Sequence, residues 1–270
     1  MAAGALVALT LAVIIVPMLS RQDPLGIGDV LALRLAPPWS RDGHGTFHLL
    51  GTDRFGRDLF VRIMLAGRIS LAVGVVGSLL ASALGTAIGA VAAWLGGKID
   101  AILMAIADAL LALPRLVLLL VCAALWRPGF TTVVAVLVAT GWMGVARIVR
   151  AELLGVKTRP FIDAATALGA SSQRVLWLHA LPNALGPAIV STTLGVGNAI
   201  LLESGLSFLG LGIQPPQPSW GNMIAAGVSE LAFHPHVSFV PSAVMVITIF
   251  AINSVGNALR RATDLREAAL

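Results

Sequence analysis

The chain has 270 residues, 57% of them hydrophobic and only 11% charged, with a mean hydropathy of +0.92. Soluble domains carry about 25% charged residues, so this composition excludes a water-covered domain and selects the bilayer as solvent. The net charge of +5 does not point to nucleic acid, because the arginines are scattered between apolar runs without a basic stripe or aromatic platform; they suit anionic headgroups at a membrane surface.

A spanning helix needs about 20 mostly apolar residues. Such runs cover 3–20, 69–95, 101–125, 130–149, 187–212 and 237–257, which predicts an all-α membrane bundle with about six spanning helices. The first run lacks a basic leader and is followed by no convincing cleavage site, so it reads as a retained span; a start further upstream is one explanation for the missing basic residues. Within the second run Ala81, Gly85, Gly89 and Ala93 recur every four residues, a face that lets helix backbones approach closely.

Gly96-Gly97-Lys98 then makes a tight turn. It is not a phosphate loop, since Ala92 and Ile99 stand where Gly and Ser or Thr are needed. In the third run Asp108 and Arg115 lie seven apart, which places both on one face of a continuous helix; Glu203 lies deep in the fifth. Ionisable groups inside a membrane are costly, so all three are candidates either for a translocation path or for pairs that lock the bundle. Cys122, the single cysteine, reads as a small buried hydrophobe. His234 and His236 flank Pro235, but two histidines do not make a metal site, and none is expected.

Segment 150–186 carries Arg150, Lys157, Arg159 and Arg174, and the tail carries Arg260, Arg261 and Arg266, which places both in the cytoplasm. Counting back two spans puts the 96–99 turn inside and 21–67 outside. That outer segment nevertheless holds Arg21, Arg34, Arg41, Arg54, Arg57 and Arg62, against the positive-inside rule. The expected organisation is a first helix plus an outer polar segment (1–67), a core transmembrane domain (68–258) and a short cytoplasmic tail (259–270).

The cytoplasmic segment is patterned for two short helices. Pro160 suits a first helical turn, Asp163 complements the helix dipole, and Ala164, Ala165 and Ala167 favour helix without bulk. Gly169 permits the left-handed turn that ends it, Ser171 or Ser172 caps the next helix, and Leu181-Pro182 is expected to disrupt that one.

Asp163-Ala164-Ala165, Gly169 and Leu181-Pro182 resemble the loop by which type I ABC importers couple their membrane subunits to ATPases. Asp163 replaces the family's usual Glu, and His179 stands at its Ile position. GTDRFGRD (51–58), GRISL (67–71), ESGLSFLGLG (203–212) and PPQPSWG (215–221) are similar to the dipeptide/oligopeptide/nickel permease family, most closely its second membrane subunit. Members often carry a basic residue where Ala105 stands here.

The resemblance implies a second permease subunit, two ATP-binding subunits holding ATP and Mg, an extracytoplasmic substrate-binding protein and a bacterial inner-membrane location. It implies peptides or a related small solute such as nickel as cargo, and no catalysis by this chain. The stretch with Pro215, Pro216, Pro218 and Trp220 is expected outside, with Trp220 as an interfacial anchor, either receiving the binding protein or plugging the outer mouth. Two other classes remain open to the residues themselves. One is an ion-coupled secondary transporter using Asp108 and Glu203, although no motif occurs twice as inverted repeats would require. The other is a membrane scaffold without transport.

Overall fold

A computed structural model describes residues 2–20, 23–26, 30–43 and 45–267. Twelve α-helices, one π-helical turn and a two-stranded sheet are present among these residues. Helix α1 (Ala2–Leu19) is followed by α2 (Val30–Leu33), β1 (Ser40–Arg41) and β2 (Phe47–His48). The strands pair antiparallel, Ser40 opposite His48 and Arg41 opposite Phe47.

The long helix α3 (Leu59–Leu95) starts where the Asp58 carboxylate accepts the Val61 N–H at 2.9 Å, a side-chain N-cap. It ends at Gly96, and the reversal into α4 (Gly97–Leu111) needs φ of +65° at Gly96 and +55° at Gly97. Side chains rarely adopt such values, so the two glycines make the tight turn anticipated at this point.

The run expected as one span at 101–125 is two helices, α4 and α5 (Arg115–Ala124), bent by 91°. Pro114 has no N–H to donate and disfavours helical backbone in the residue before it, so the helix stops there. Asp108 and Arg115 therefore do not share a helix face, contrary to their spacing. Helix α6 (Phe130–Lys157) follows. Then come α7 (Pro160–Ala167), α8 (Ser172–Arg174), a π-helical turn Val175–Ala180, α9 (Leu181–Ala184), α10 (Gly186–Phe208), α11 (Trp220–Val228) and α12 (His236–Glu267).

Four helices, α3, α6, α10 and α12, are long and apolar enough to cross a membrane. The bent pair is a fifth span if its halves count as one, and Ala3–Leu19 is a shorter apolar helix. All six apolar runs are thus helical, and among the described residues four of them are simple spans, one is the bent pair and one is the shorter α1.

The small-residue face of α3 is spent on α6. A Cβ at Gly85 would lie 2.5 Å from the Trp142 carbonyl oxygen, and one at Gly89 would lie 2.4 Å from that of Ala146. Only glycine permits this approach, which gives dispersion contact where lipid removes any hydrophobic drive between helices. Cys122, free and half-buried, packs beside the cluster of Val73, Leu119, Val133 and Leu137.

The ends of α3 and α6 and the start of α10 meet at one end of the bundle. There the Lys157 ammonium donates to the Ala93 carbonyl at 3.0 Å and lies over the Trp94 ring. At the opposite end the 51–62 segment meets the stretch 215–237 around a cavity of about 440 Å³. Two arginines of the outer segment, Arg57 and Arg62, are engaged there. Arg57 Nε and Nη2 each bond Asp53 Oδ2 at 2.7 Å, and Arg62 lies 3.4 Å from the same oxygen while donating to the Pro24 carbonyl. Arg68 fastens α1 by donating to the Val13 carbonyl at 2.8 Å and to that of Ile14. Arg21 lies outside the described residues.

Candidate functional site

Helix α7 begins with Pro160 at its first position and Asp163 in its first turn. It ends in a complete Schellman motif: the Ala170 N–H donates to the Ala165 carbonyl at 3.1 Å, and the Gly169 N–H donates to that of Thr166 at 3.0 Å. Gly169 supplies the left-handed residue, φ +84°, that this motif requires. Ser171 then accepts the Arg174 N–H and starts α8.

The second helix is not disrupted at Leu181-Pro182. It widens into the π-helical turn, and the Leu181 N–H reaches back five residues to the Leu176 carbonyl. Pro182 then opens α9, where a missing N–H costs nothing. The Asn183 side-chain amide donates to the His179 carbonyl at 2.6 Å, satisfying an acceptor near the change of register. A wide turn is how this chain accommodates a proline without breaking the helix.

The segment is held from behind and open in front. Ile162, Val175, Ala180, Leu181 and Ala184 are buried against Ala90, Ala93, Val149, Leu153 and Val156 from α3 and α6. The Trp94 indole N–H donates to Ser172 Oγ at 2.8 Å. In contrast Asp163, Ala164, Gly169 and Pro182 are exposed, as are Phe161, Trp177, Leu178 and, at 89% exposure, Leu168. Of the six residues singled out here, four face outward, Ala165 is half-buried, and Leu181 anchors the segment to the bundle. The large apolar residues beside them carry no sequence signal of their own, because an exposed Leu is read from the fold and not from spacing.

A cavity of about 750 Å³ opens between α3, α5, α6 and α10. Its walls combine hydroxyl and amide groups of Ser78, Ser82, Thr140, Thr192 and Asn198 with apolar side chains such as Leu137, Val145 and Val190, and Glu152 and Arg260 also line it. Ser82 and Thr192 bond to each other at 2.5 Å across the α3–α10 junction. The Arg115 side chain reaches this cavity from the start of α5.

The other two intramembrane candidates lie elsewhere. Asp108 Oδ1 pairs with Arg147 Nη1 at 3.2 Å, tying α4 to α6 with both side chains more than half exposed. Glu203 is fully buried on α10 and lines neither cavity. Its carboxylate accepts from Ser70 at 2.8 Å and Ser207 at 2.6 Å. Ser70 Oγ in turn accepts the Trp220 N–H at 3.3 Å, and Ser207 Oγ accepts the Ile213 N–H at 2.9 Å. The carboxylate thereby joins α3, α10 and the start of α11. Arg147 and Ser70 could not be named as partners from sequence, because their contacts depend on tertiary packing, whereas Ser207, four residues after Glu203 on the same helix, is within reach of helical spacing.

The 215–220 stretch divides in two. Pro215 and Pro216 are exposed, whereas Pro218 is buried and Trp220 is fully so. Trp220 is therefore not an interfacial anchor, nor can it face a docking partner. Its indole N–H donates to the Ile63 carbonyl at 3.1 Å, and its ring fills the space left by Gly67, where a Cβ would sit 2.9 Å from it. A capping box between Ser219 and Asn222 begins α11 and turns this ring inward. His234 and His236 stand with ring centroids 6.1 Å apart, and no group of three or more metal-ligating side chains occurs among the described residues.

This geometry agrees with what the chain is similar to. The family described as "Binding-protein-dependent transport system inner membrane component" matches residues 85–268. The oligopeptide transport system permease protein OppC of Bacillus subtilis (strain 168) is 38% identical over 259 residues, covering 96% of this chain and 82% of that protein. The dipeptide transport system permease protein DppC of the same organism is 42% identical over 218 residues, covering 80% and 68%. Among solved structures, an inward-facing conformation of the MetNI methionine ABC transporter aligns with a TM-score of 0.62 at 19% identity, over 76% of this chain and 95% of that one, which shows the shared fold. The family match across the core helices, with the 160–182 segment inside it, establishes that the chain belongs to the binding-protein-dependent transport system inner membrane components, as a multi-pass permease of ATP-driven import in the bacterial inner membrane.

Proposed function

We propose that this chain is one of two related permease subunits of a peptide importer, and that α7 with the following turn is its docking element for an ATP-binding subunit. The observation that carries the reading is the capped, outward-facing α7 backed by a packed cluster on α3 and α6. Phe161 and Leu168 offer apolar surface to a groove, each worth about 1.5–3 kcal/mol when fully covered. Asp163, Ala164, Ala165 and Gly169 form the contact, and Leu181 and Pro182 transmit displacement to α10. ATP and Mg belong to two such ATP-binding subunits, and this chain performs no ATP chemistry itself.

The substrate class rests on similarity to permeases named for oligopeptides and dipeptides. An extracytoplasmic binding protein would deliver the peptide at the opposite end, near the exposed Pro215 and Pro216. The polar cavity beside α3 and α10 is this chain's half of the path, completed by the second permease subunit. Nickel, which the resembled family also carries, has no supporting cluster of donors among the described residues. Nor is ion-coupled transport supported, since Asp108 and Glu203 have separate partners and Glu203 lines neither cavity.

The test is reconstitution of the whole complex in liposomes with its binding protein and labelled peptide. Uptake should require ATP, and a cysteine placed at Ala164 should cross-link to an ATP-binding subunit. Peptide uptake that continues without the ATP-binding subunits would sink the reading.

A further inference from the structure

We infer that Arg115 is a specificity residue of the translocation path, which meets the free carboxylate of the peptide in transit. This rests on the peptide-importer reading above and adds to it which group of the cargo the membrane subunit reads.

Three observations carry it. The first is depth. The Arg115 guanidinium reaches Gly141, near the midpoint of α6: a Cβ built at Gly141 would lie 3.4 Å from Arg115 Nη2 and 3.0 Å from the Ala81 Cβ. Gly141 thus places the guanidinium beside the middle of α6, on a side of the single chain where Arg115 is exposed.

The second is the lack of a carboxylate. Asp108 is engaged by Arg147, Asp100 by Arg150, and Glu203 by serines, so the acids of the neighbouring helices are taken. Among the described residues no acid lies within ion-pair distance of Arg115. Glu152 lines the same cavity, but it lies three helical turns further along α6 than Gly141, toward the coupling end. A cation that faces the cavity of a spanning bundle without a counter-charge attracts an anion.

The third is what surrounds it. Arg115 is the first residue of α5, immediately after the Pro114 break, so the free amides of that helix end add positive potential on the same side. The remaining walls mix apolar side chains such as Leu137, Val145 and Val190 with hydroxyls and an amide, among them Ser78, Thr140 and Asn198, which can bond a peptide backbone, and Arg260 adds a second cation to the lining. At about 750 Å³ the cavity falls in the size range of small-molecule sites. A solute whose side chains vary has one anion in common, its C-terminal carboxylate, and a guanidinium binds it through two parallel N–H donors.

The experiment compares a peptide acid with its C-terminal amide, in a pair chosen so that the binding protein accepts both. Uptake is measured in liposomes holding the whole complex with wild type, Arg115→Gln and Arg115→Lys. Co-purification of the ATP-binding subunits checks assembly of each variant. Arg115→Gln should lower the acid-to-amide uptake ratio roughly tenfold or more, the size of a lost charge-assisted bond. Arg115→Lys should restore much of that ratio, because the positive charge stays. An unchanged ratio overturns the inference, whether both peptides are lost together, as for a guanidinium that only locks the subunits, or neither is affected. Failure of the wild-type complex to take up either peptide refutes the peptide reading itself.

Discussion

Gly169 gives the sharpest test of the coupling role proposed for α7, because its requirement is conformational and not steric. Nothing lies within 4 Å of a Cβ built there, yet its φ is +84°. Gly169→Ala therefore costs only the left-handed penalty, about 1–2 kcal/mol. Asn, which tolerates that conformation, should cost less. Gly169→Pro differs in kind. It fixes φ near −65°, removes the N–H that donates to Thr166, and crowds the helical backbone of Leu168. The end of α7 is then lost, at about 3 kcal/mol or more. An eight-residue helix cannot persist on its own propensity, so losing its terminus unravels the docking surface. The residue is exposed and outside the spanning helices, so insertion should be untouched. Uptake in reconstituted liposomes should rank Gly and Asn above Ala, with Pro abolishing it at equal membrane abundance. Gly169→Pro uptake within twofold of wild type would refute the reasoning.

The remaining expectations concern the bundle. Glu203→Ala orphans Ser70 and Ser207 in a fully buried site, at about 1–3 kcal/mol per unsatisfied hydroxyl, and should lower the unfolding temperature of detergent-solubilised protein well beyond Glu203→Gln. Gly85→Leu forces a side chain into the Trp142 carbonyl and should prevent a monodisperse solubilised complex, whereas Gly155→Ala, with open space around it, should gain about 1 kcal/mol of helix propensity. Trp220→Ala should cost about 3–5 kcal/mol in the same melting assay while Pro215→Ala leaves it unmoved; equal effects would contradict the burial assigned to Trp220. Asp108→Asn removes a half-exposed pair and should shift stability by less than about 1 kcal/mol, so a larger loss would mean that Asp108 has a partner beyond Arg147.

What the sequence made legible follows the range of the physics involved. Signals that act within one helical turn were readable: the Gly96-Gly97 reversal, the Schellman glycine at 169, the first-turn proline at 160, and the four-residue glycine spacing that finds its partner on α6. Signals that need a competing contact were misread. Pro114 divides a run whose hydropathy is continuous, so hydropathy alone joined Asp108 to Arg115 across a 91° bend. Leu181-Pro182 resembles a helix stop, but a π-helical turn upstream places Pro182 at a helix start. Trp220 has the residue type of a headgroup anchor, yet Gly67 hollows out a site for its ring and Ile63 accepts its indole proton, and neither fact is local to residue 220. Glu203 shows the same limit at a site of consequence. Its charge marks it as a candidate, but whether it faces the path depends on serines 133 residues upstream and four residues downstream. Local hydroxyls flanking a buried acid favour locking over transport, since a carboxylate already engaged has little left to offer a passing solute. Arg115 is the converse case, a charge whose surroundings offer room and a mixed polar and apolar wall but no acid within ion-pair distance among the described residues. Among the three intramembrane candidates it is therefore the presence or absence of a built partner, and not the charge itself, that separates fastening from passage.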